Sequence, residues 1–244
     1  MLIRSYEDLE RRNFEKRTSL RVYTTFKNCG IKVASGATGF QAMQLKALVS
    51  EKHTPSAIPF VVSGNVDKYH FSNENVRYMG DLYRHAYVER GSAIADSKWS
   101  MWKKPKIIVA GMTREVEAVY SANPVGLGVG VYAIYDFAGY DPLCLNGILN
   151  SKFMTYYFRE RFKDKHLAGG YLAINKSTIE ELPLVKIDGG LQREMSRCVE
   201  KILAARRKSQ DADTSAIERE IDLAVYTIYG LTPEEIKIVE EASA

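Results

Sequence analysis

Between Ile31 and about Val185 the sequence is divided into short apolar runs, each bounded by Gly, Asn, Pro or Asp. The runs are rich in Val, Ile, Tyr and Phe, which are the residues that fit a pleated, half-buried surface. This pattern is typical of β-strands. The clearest examples are FVVSG at Phe60, KIIVAG at Lys106, VGVYAIYDF at Val129 and GYLAIN at Gly170.

Helical patterns interrupt these strands, so both element types occur in one region. Apolar spacing predicts helices over Gln44 to Glu51 and over Pro142 to Phe162. Asp141 can cap the second helix, and Pro142 suits its first turn, where the missing amide costs nothing. We therefore predict an α+β fold, in which helices pack on a mixed or antiparallel sheet. The first thirty residues suggest a helix or an extended arm.

After Glu181 the pattern becomes helical only. Apolar residues recur at helical spacing from Leu191 to Leu203, and a second helix ends at Gly230, which suits a left-handed cap. A third helix begins after Thr232, which can form a capping box with Glu235. We predict a domain over residues 1–185 and an α-helical C-terminal tail, a hairpin followed by a short helix, over residues 186–244.

Length and composition limit the classes of protein that this chain can be. Its 244 residues suffice for a hydrophobic core, and three widely spaced cysteines favour reduced thiols in the cytoplasm. The four histidines are scattered and no CxxC pair exists, so we predict no metal site. No run is apolar and long enough to span a bilayer, so we predict no membrane partner. A formal charge of +4 permits nucleic acid as a partner without requiring it.

One segment concentrates positive charge and aromatic side chains. From Lys98 to Arg114 the chain carries five basic residues, both tryptophans and no acidic residue. Lys103, Lys104 and Arg114 are therefore candidates for contacts with DNA phosphates. A solvated strand edge kept soluble by lysines explains the same pattern equally well. Charge alone does not choose between these two interpretations.

Two motifs suggest catalysis at first sight, and both lack the residues that catalysis needs. GLGVG at Gly126 leads into a strand pattern, whereas a phosphate-binding loop requires a helix after its glycines. ANPVG at Ala122 lacks the second proline and the aromatic residue of the NPPY motif of amino methyltransferases. We predict no catalytic residue and no cofactor. The alternative hypothesis is that the protein is an enzyme that uses GLGVG to bind a cofactor.

SGATGFQ, from Ser35 to Gln41, predicts a tight loop with several polar groups. Its backbone amides and the hydroxyls of Ser35 and Thr38 could bind phosphate, and Gln41 is long enough to reach an adenine edge. The alternative is a simple turn between a strand and a helix, which composition alone favours.

A second polar stretch runs from Val61 to Gly80 around predicted turn residues. It places Asn65, Lys68 and Arg77 after a buried strand. Asn and Arg are the side chains best shaped to bind adenine and guanine with two hydrogen bonds. Asn after Gly is also common in ordinary turns, so the stretch has a purely structural interpretation as well.

The order of these segments resembles a known family, the TaqI-like C-terminal specificity domain of adenine-modifying restriction-modification enzymes. The similar segments occur in the order SGATGF, FVVSGNVDKY, KPKIIVAGM, LCLNGILNSKFMTYYF and GGYLAINKSTIEELPL. The C-terminal ends of the same methyltransferases are similar to IEREIDLAVYTIYGLTPEEIKIVE. The resemblance extends from Ile31 to Glu240.

The resemblance implies a non-catalytic target recognition domain, which reads a short double-stranded DNA sequence and presents it to a methyltransferase, with or without a nuclease. In the family this domain follows a catalytic domain, whose cofactor loop and NPPY motif are both missing here. The chain is then a module of a longer polypeptide or a separate subunit, like the specificity subunits of type I systems. The rival hypothesis is a protein-interaction scaffold that docks a methyltransferase through its C-terminal helices.

The residues that read bases do not transfer from the family, because its members recognise different sequences with different side chains. We predict from this sequence alone that Gln41, Asn65 and Arg77 contact base edges. The predicted phosphate contacts are Ser35, Thr38, Lys68, Lys103, Lys104 and Arg114.

Asn146 and Asn150 require an explanation of their own, because Asn is a poor helix former and both lie in a predicted helix. In the family this helix packs beside the recognition sheet. We therefore predict that Asn146, Asn150 and Ser151 satisfy backbone groups of neighbouring loops, in preference to contacting bases.

Overall fold

The computed structural model of the protein describes residues 23–163 and 168–243. The helix or arm predicted at the N-terminus falls mostly on residues 1–22, outside this part of the chain. The strands are β1 (Tyr23–Thr25), β2 (Lys32–Ser35), β3 (Val49–Ser50), β4 (Ile58–Val61), β5 (Val66–Asp67), β6 (His70–Phe71), β7 (Glu74–Tyr78), β8 (Asp81–His85), β9 (Tyr87–Val88), β10 (Lys106–Ala110), β11 (Met112–Thr113), β12 (Ala118–Ser121), β13 (Gly126–Leu127), β14 (Val131–Tyr135), β15 (Leu172–Ala173) and β16 (Pro183–Val185). The helices are α1 (Gly39–Lys46), α2 (Asp96–Lys103), α3 (Pro142–Asn150), α4 (Lys152–Arg161), α5 (Lys176–Glu180), α6 (Gly189–Lys208), α7 (Ser215–Tyr229) and α8 (Pro233–Glu241).

A four-stranded antiparallel sheet, in the order β12-β10-β14-β2, forms the centre of the fold. Every residue of β10 is buried, because strands flank it on both sides and other elements cover both faces. A second sheet has the order β13-β4-β9-β3 and is mixed, since β13 runs parallel to β4. β7 and β8 form a separate hairpin. The predicted α+β class with mixed and antiparallel sheets is confirmed.

The helix predicted over Gln44 to Glu51 is wrong in position. α1 ends at Lys46, and Val49–Ser50 forms β3. The reason is tertiary, because Val49 and Ser50 pair with Val88 and Tyr87 of β9. A β-branched residue such as Val49 also fits a strand better than a helix.

The single helix predicted over Pro142 to Phe162 is two helices, α3 and α4, broken at Ser151. Ser151 has an extended backbone, with ψ 153°, and its hydroxyl accepts a hydrogen bond from the Met154 amide at 3.2 Å. The side chain of Asp222, from α7, accepts a hydrogen bond from the Lys152 amide at 2.9 Å. A side-chain cap and a distant acceptor therefore satisfy the amides that the break leaves without a helical partner.

The buried asparagines of α3 hold the outer edge of β12. Asn150 accepts a hydrogen bond from the Ala118 amide at 2.9 Å and donates one to the Ala118 carbonyl at 2.8 Å. Asn146 accepts from the Tyr120 amide at 3.0 Å and donates to the Ala118 carbonyl at 3.0 Å. The predicted structural role of both residues is confirmed, with a strand as the partner in place of loops. Ser151 instead bonds within its own two helices.

The three predicted tail helices are confirmed as α6, α7 and α8. Gly230 ends α7 in the left-handed conformation, and Thr232 forms the predicted capping box. α6 packs so closely on α3 that a Cβ added to Gly147 would lie 3.1 Å from the Val199 side chain. Tyr229 Oη donates to the carbonyl of Pro183 at 2.9 Å. Among the described helices, none is long and apolar enough to cross a membrane.

Candidate nucleic-acid interface

Four loops meet at one end of the central sheet, and we call them together the loop edge: residues 35–38, 63–65, 111–114 and 128–130. The Gly36 amide donates to the Val131 carbonyl at 2.8 Å, and the Gly111 amide donates to the Gly130 carbonyl at 2.7 Å. Ser63 Oγ accepts from the amide of Gly111 at 3.2 Å. These bonds fix the four loops relative to one another. The prediction that GLGVG leads into a strand is confirmed, because β14 follows it.

Gly36 is the tightest point of the loop edge. A Cβ added there would lie 2.2 Å from the carbonyl oxygen of Gly128, and 2.9 Å from that of Leu127. The amide of Ala37 also donates to the carbonyls of Leu127 and Gly128, both at 3.0 Å. The amides of Gly36 and Ala37 are thus occupied inside the protein, so for these two groups the interpretation as a simple turn, which composition favoured, holds over phosphate binding.

Thr38 and Gln41, from the same segment, differ in how much of their hydrogen-bonding capacity is free to bind DNA. Thr38 is exposed and precedes α1, and its hydroxyl does not cap the helix. Gln41 accepts a hydrogen bond from Lys98 Nζ at 2.7 Å, and the same Nζ donates to the Gly36 carbonyl at 2.7 Å. Burial lowers the pKa of Lys98. Lys98 therefore supports the loop, and Gln41 retains its Nε2 donors for an outside partner.

Asn65 and Arg77 lie on neighbouring elements but in different environments. Asn65 Nδ2 donates to the carbonyl of Glu74 at 2.9 Å, which ties the turn after β4 to the β7–β8 hairpin. Arg77 is exposed on that hairpin, on the face opposite the buried Val76 and Tyr78. Asn65 has a structural partner, whereas Arg77 points to solvent.

The basic segment from Lys98 to Arg114 does not form one patch, contrary to the prediction. Lys106 is fully buried in β10, and burial lowers its pKa to about 8. Lys103 and Lys104 are exposed before β10, and Arg114 is exposed after it. Because β10 is extended, these two exposed groups are separated by its length, roughly 15 Å. The basic residues are close in sequence, but the buried strand β10 separates Lys103 and Lys104 from Arg114 in the structure.

The guanidinium group of Arg114 lies over the ring of Tyr171, a residue that the sequence analysis did not identify as part of the site. Its guanidinium carbon lies 5.6 Å from the centroid of the Tyr171 ring, a cation–π contact. β11 and β15 pair between Thr113 and Leu172, which brings the two residues together. The only sequence signal was an aromatic residue after two glycines, GGY.

Lys68 lies in an acidic environment, away from the other predicted phosphate contacts. It forms an ion pair with Glu115. It also lines a cavity of about 410 Å³ that reaches from β5 to α6 and α7. Five acidic residues line this cavity, against Lys68 and Arg206 as basic ones: Asp67, Glu115, Glu117, Asp211 and Glu218. Acidic side chains repel phosphate, so this face of the protein is a poor surface for DNA.

Glu117, in this acidic cavity, makes the stability of the protein depend on pH. Burial raises the pKa of Glu117 to about 7, and the charges of Asp67 and Glu115 add to the effect. The folded state therefore holds the proton more tightly than the unfolded state does, and stability falls as pH rises from about 4.5 to 7. We expect Glu117→Gln to be about 1 kcal/mol more stable than the parent at pH 8, a figure reduced for partial solvent exposure.

Urea unfolding at pH 5 and pH 8 measures this effect. The two proteins should differ less at pH 5 than at pH 8. Glu194→Gln, on the exposed face of α6, is the matched control and should follow the parent at both values. Identical pH profiles for Glu117→Gln and the parent would contradict the assignment.

The chain belongs to the family of TaqI-like C-terminal specificity domains, whose sequence model matches residues 59–184. The match begins within β4 and ends within β16, and it includes three of the four loops of the loop edge. The chain is therefore a specificity domain of the TaqI-like type. A search of curated proteins found no match.

The fold of one solved structure, BpuSI, is similar to that of this chain at low sequence identity, and two further structures have TM-scores below 0.5. The type IIG restriction endonuclease BpuSI has a TM-score of 0.51 and 11% identity, covering 94% of this chain and 33% of that chain. The HsdS subunit from Thermoanaerobacter tengcongensis has a TM-score of 0.46 and 10% identity, covering 91% of this chain and 51% of that one. The type IIL enzyme MmeI in complex with DNA has a TM-score of 0.49 and 8% identity, covering 92% and 36%. The chain thus spans between a third and about half of these proteins.

Proposed function

We propose that this chain reads a short double-stranded DNA sequence and positions an adenine methyltransferase, with or without a nuclease, on that site. The observation that carries the proposal is the loop edge, where four loops of a specificity domain are fixed by backbone hydrogen bonds at one end of a sheet. A rigid edge of this kind holds side chains in a defined register against DNA. The methyltransferase is a separate domain or subunit in this proposal.

The proposed contacts follow from where the side chains lie. Gln41 and Arg77 are the candidates for base edges, and Asn65 takes part only if it gives up its bond to Glu74. Candidates for phosphate are Ser35, Thr38, Lys103, Lys104 and Arg114. Lys68 is left out of the proposed interface, because Glu115 neutralises it.

Two further parts of the proposal concern organisation and compartment. We divide the chain into a recognition domain over residues 1–185 and a helical tail over residues 186–244, which is supported by the end of β16 at Val185. We place the protein in the cytoplasm, because Cys29, Cys144 and Cys198 are all free thiols.

Selection from a randomised duplex pool at near-physiological salt tests the proposal. Sequencing of the bound fraction should show an enriched motif of a few base pairs. Weak, salt-sensitive binding to every sequence would mean that this chain lacks specificity of its own. The salt concentration must be fixed, because phosphate contacts make affinity strongly dependent on it.

The two lysines at the end of α2 allow a quantitative test. Each phosphate contact that is lost should lower the slope of log K against log[salt] by about 0.9. We expect Lys103→Ala with Lys104→Ala to lower the slope by about 2, since both side chains are exposed and neither forms an ion pair within the described chain. Lys237→Ala, an exposed lysine on α8, is the control and should leave the slope unchanged. An unchanged slope for the double variant would place these lysines outside the interface.

The helical tail supports a second candidate function, docking of the methyltransferase partner. α7 buries the apolar residues of one face, but its apolar residue Leu223 is 48% exposed. On the exposed surface of α6 lie Arg193, Arg197 and Lys201. A stable complex with a methyltransferase in the absence of any affinity for DNA would favour this function alone.

A further inference from the structure

Large apolar side chains are exposed mainly on one side of the molecule. Eight of them are exposed in the described part of the chain, and seven of these belong to the loop edge or to elements that adjoin it. We call these seven residues the apolar row: Leu82, Met79, Met43, Phe40, Val129, Met112 and Tyr171. The eighth, Leu223, lies apart on α7. Exposed apolar side chains gathered in this way mark an interaction surface.

The first half of the row is continuous from the hairpin to α1. Phe40, Met43 and Lys46 recur every three residues, so they share one face of α1. Lys46 Nζ then lies 2.9 Å from the Met79 carbonyl and 3.0 Å from an Asp81 carboxylate oxygen, in the hairpin turn. Tyr78 Oη donates to the carbonyl of Ala42 at 2.7 Å on the buried side. The helix and the hairpin turn that carries Met79 are thus joined by side-chain contacts, while Leu82, which pairs with Arg77, lies on the other face of the hairpin.

The second half of the row follows the loop edge. Phe40 comes directly after the loop whose Ala37 amide donates to the Gly128 carbonyl, next to Val129. The Val129 carbonyl accepts from the Ser63 amide, and Ser63 Oγ accepts from the Met112 amide at 3.2 Å. Val129 is 44% exposed and Met112 is 59% exposed. The row therefore passes across the same surface to which the proposed function assigns DNA.

Charge around the row favours a polyanion over an ordinary protein partner. Residues 35–50, 111–114 and 125–135 contain no acidic residue. The hairpin carries Asp81, which Lys46 neutralises, and Glu74, which lies beside His85. Arg77 and Arg114 adjoin the row, and within residues 23–163 and 168–243 neither forms an ion pair. A row of this kind can approach DNA closely without charge repulsion.

We infer that the apolar row lies against the base pairs of bound DNA, with Phe40 inserted as a wedge at one base step. The inference rests on the proposed function and extends it from polar contacts to apolar ones. Phe40 is 74% exposed on the first turn of α1, so its ring projects from a fixed element. Apolar wedges partly unstack a base step, and the cost depends on the sequence of that step. Recognition would then include the deformability of the site.

The test compares Phe40→Ala with Leu223→Ala, which removes the one large apolar side chain that is exposed outside the row in residues 23–163 and 168–243. On the motif selected from the randomised pool, Phe40→Ala should bind at least about tenfold more weakly. The slope of log K against log[salt] should not change, because an apolar contact releases no counterions. Leu223→Ala should bind as the parent does.

Fluorescence supplies a direct measure of unstacking. With 2-aminopurine placed in turn at each adenine of the motif, the parent should raise the fluorescence at one step, and Phe40→Ala should not. Phe40→Leu keeps an apolar wedge and should retain part of both effects.

Each contrary outcome overturns the inference in a recognisable way. Binding and fluorescence of Phe40→Ala equal to the parent would remove the wedge while leaving the proposed function intact. Unchanged DNA binding with loss of a methyltransferase complex would make the row a protein-docking surface. Failure of the parent itself to bind any duplex would overturn both the inference and the proposed function.

Discussion

Replacing Gly36 with alanine should destabilise the protein by about 3 kcal/mol or more, the upper end of the cost of overpacking. The added Cβ would lie 2.2 Å from one backbone oxygen and 2.9 Å from two others, those of Leu127 and Val131. Backbone atoms cannot rotate away as a side chain can, so the loop before β14 must move. Because that loop is part of the loop edge, sequence-specific DNA binding should fall together with stability.

Gly64→Ala provides a matched control in a neighbouring loop. A Cβ at Gly64 would meet no atom within 4 Å, and its backbone is not in the left-handed region. Its free energy of unfolding should therefore stay within about 0.5 kcal/mol of the parent. Urea unfolding measures the free energy of unfolding of both variants. The slope m, the dependence of that free energy on urea concentration, should equal the parent's, because a constant m shows that stability alone has changed. A Gly36→Ala protein as stable as Gly64→Ala would mean that the loops are not packed as described.

Replacing Asn150 with alanine should lower the free energy of unfolding by about 2–4 kcal/mol. The Ala118 amide would lose the acceptor that it has at 2.9 Å, in a site where Asn150 is 4% exposed. The Ala118 carbonyl would keep other donors, from Asn146 and from the Tyr69 amide. The loss therefore comes from the unsatisfied Ala118 amide, from the buried Tyr69 hydroxyl, which loses its hydrogen bond to the Asn150 side chain, and from the cavity that the side chain leaves.

Two further variants sharpen this test. Asn150→Asp keeps an acceptor for the Ala118 amide but turns a second oxygen toward the Ala118 carbonyl, so it should be destabilised as well. Asn123→Ala changes an exposed asparagine and should have little effect on the thermal midpoint. If Asn150→Ala kept the parent's thermal midpoint but lost DNA binding, Asn150 would be a base contact and its structural assignment would be wrong.

Local sequence pattern predicted those parts of the fold whose causes are local. The strand at KIIVAG, the cap at Asp141 and the capping box at Thr232 depend on neighbouring residues, and all three are present. The break at Ser151 was not predicted, because the acceptor for the Lys152 amide is Asp222, on α7. The helix predicted at Gln44 failed for a similar reason, since the partner of β3 is β9.

The candidate site was less predictable than the fold. Lys98, Lys103 and Arg114 look equivalent in the sequence, yet one is committed to Gln41 and the other two are separated by β10. The exposure of Phe40 and Met112 was also hidden, because apolar residues near glycines usually signal a core strand or a turn. Whether such a side chain is covered depends on packing between distant segments, which periodicity does not encode.

The asparagines of α3 also determine what β12 cannot do. β12 is an edge strand, and its outward amides at Ala118 and Tyr120 would otherwise be open to pairing with a strand of another molecule. Side-chain amides occupy these positions, so the sheet is closed to growth on that side without the addition of another strand. α5 packs beside β2 at the opposite edge. The same two residues that anchor a helix thus protect the protein against edge-to-edge aggregation.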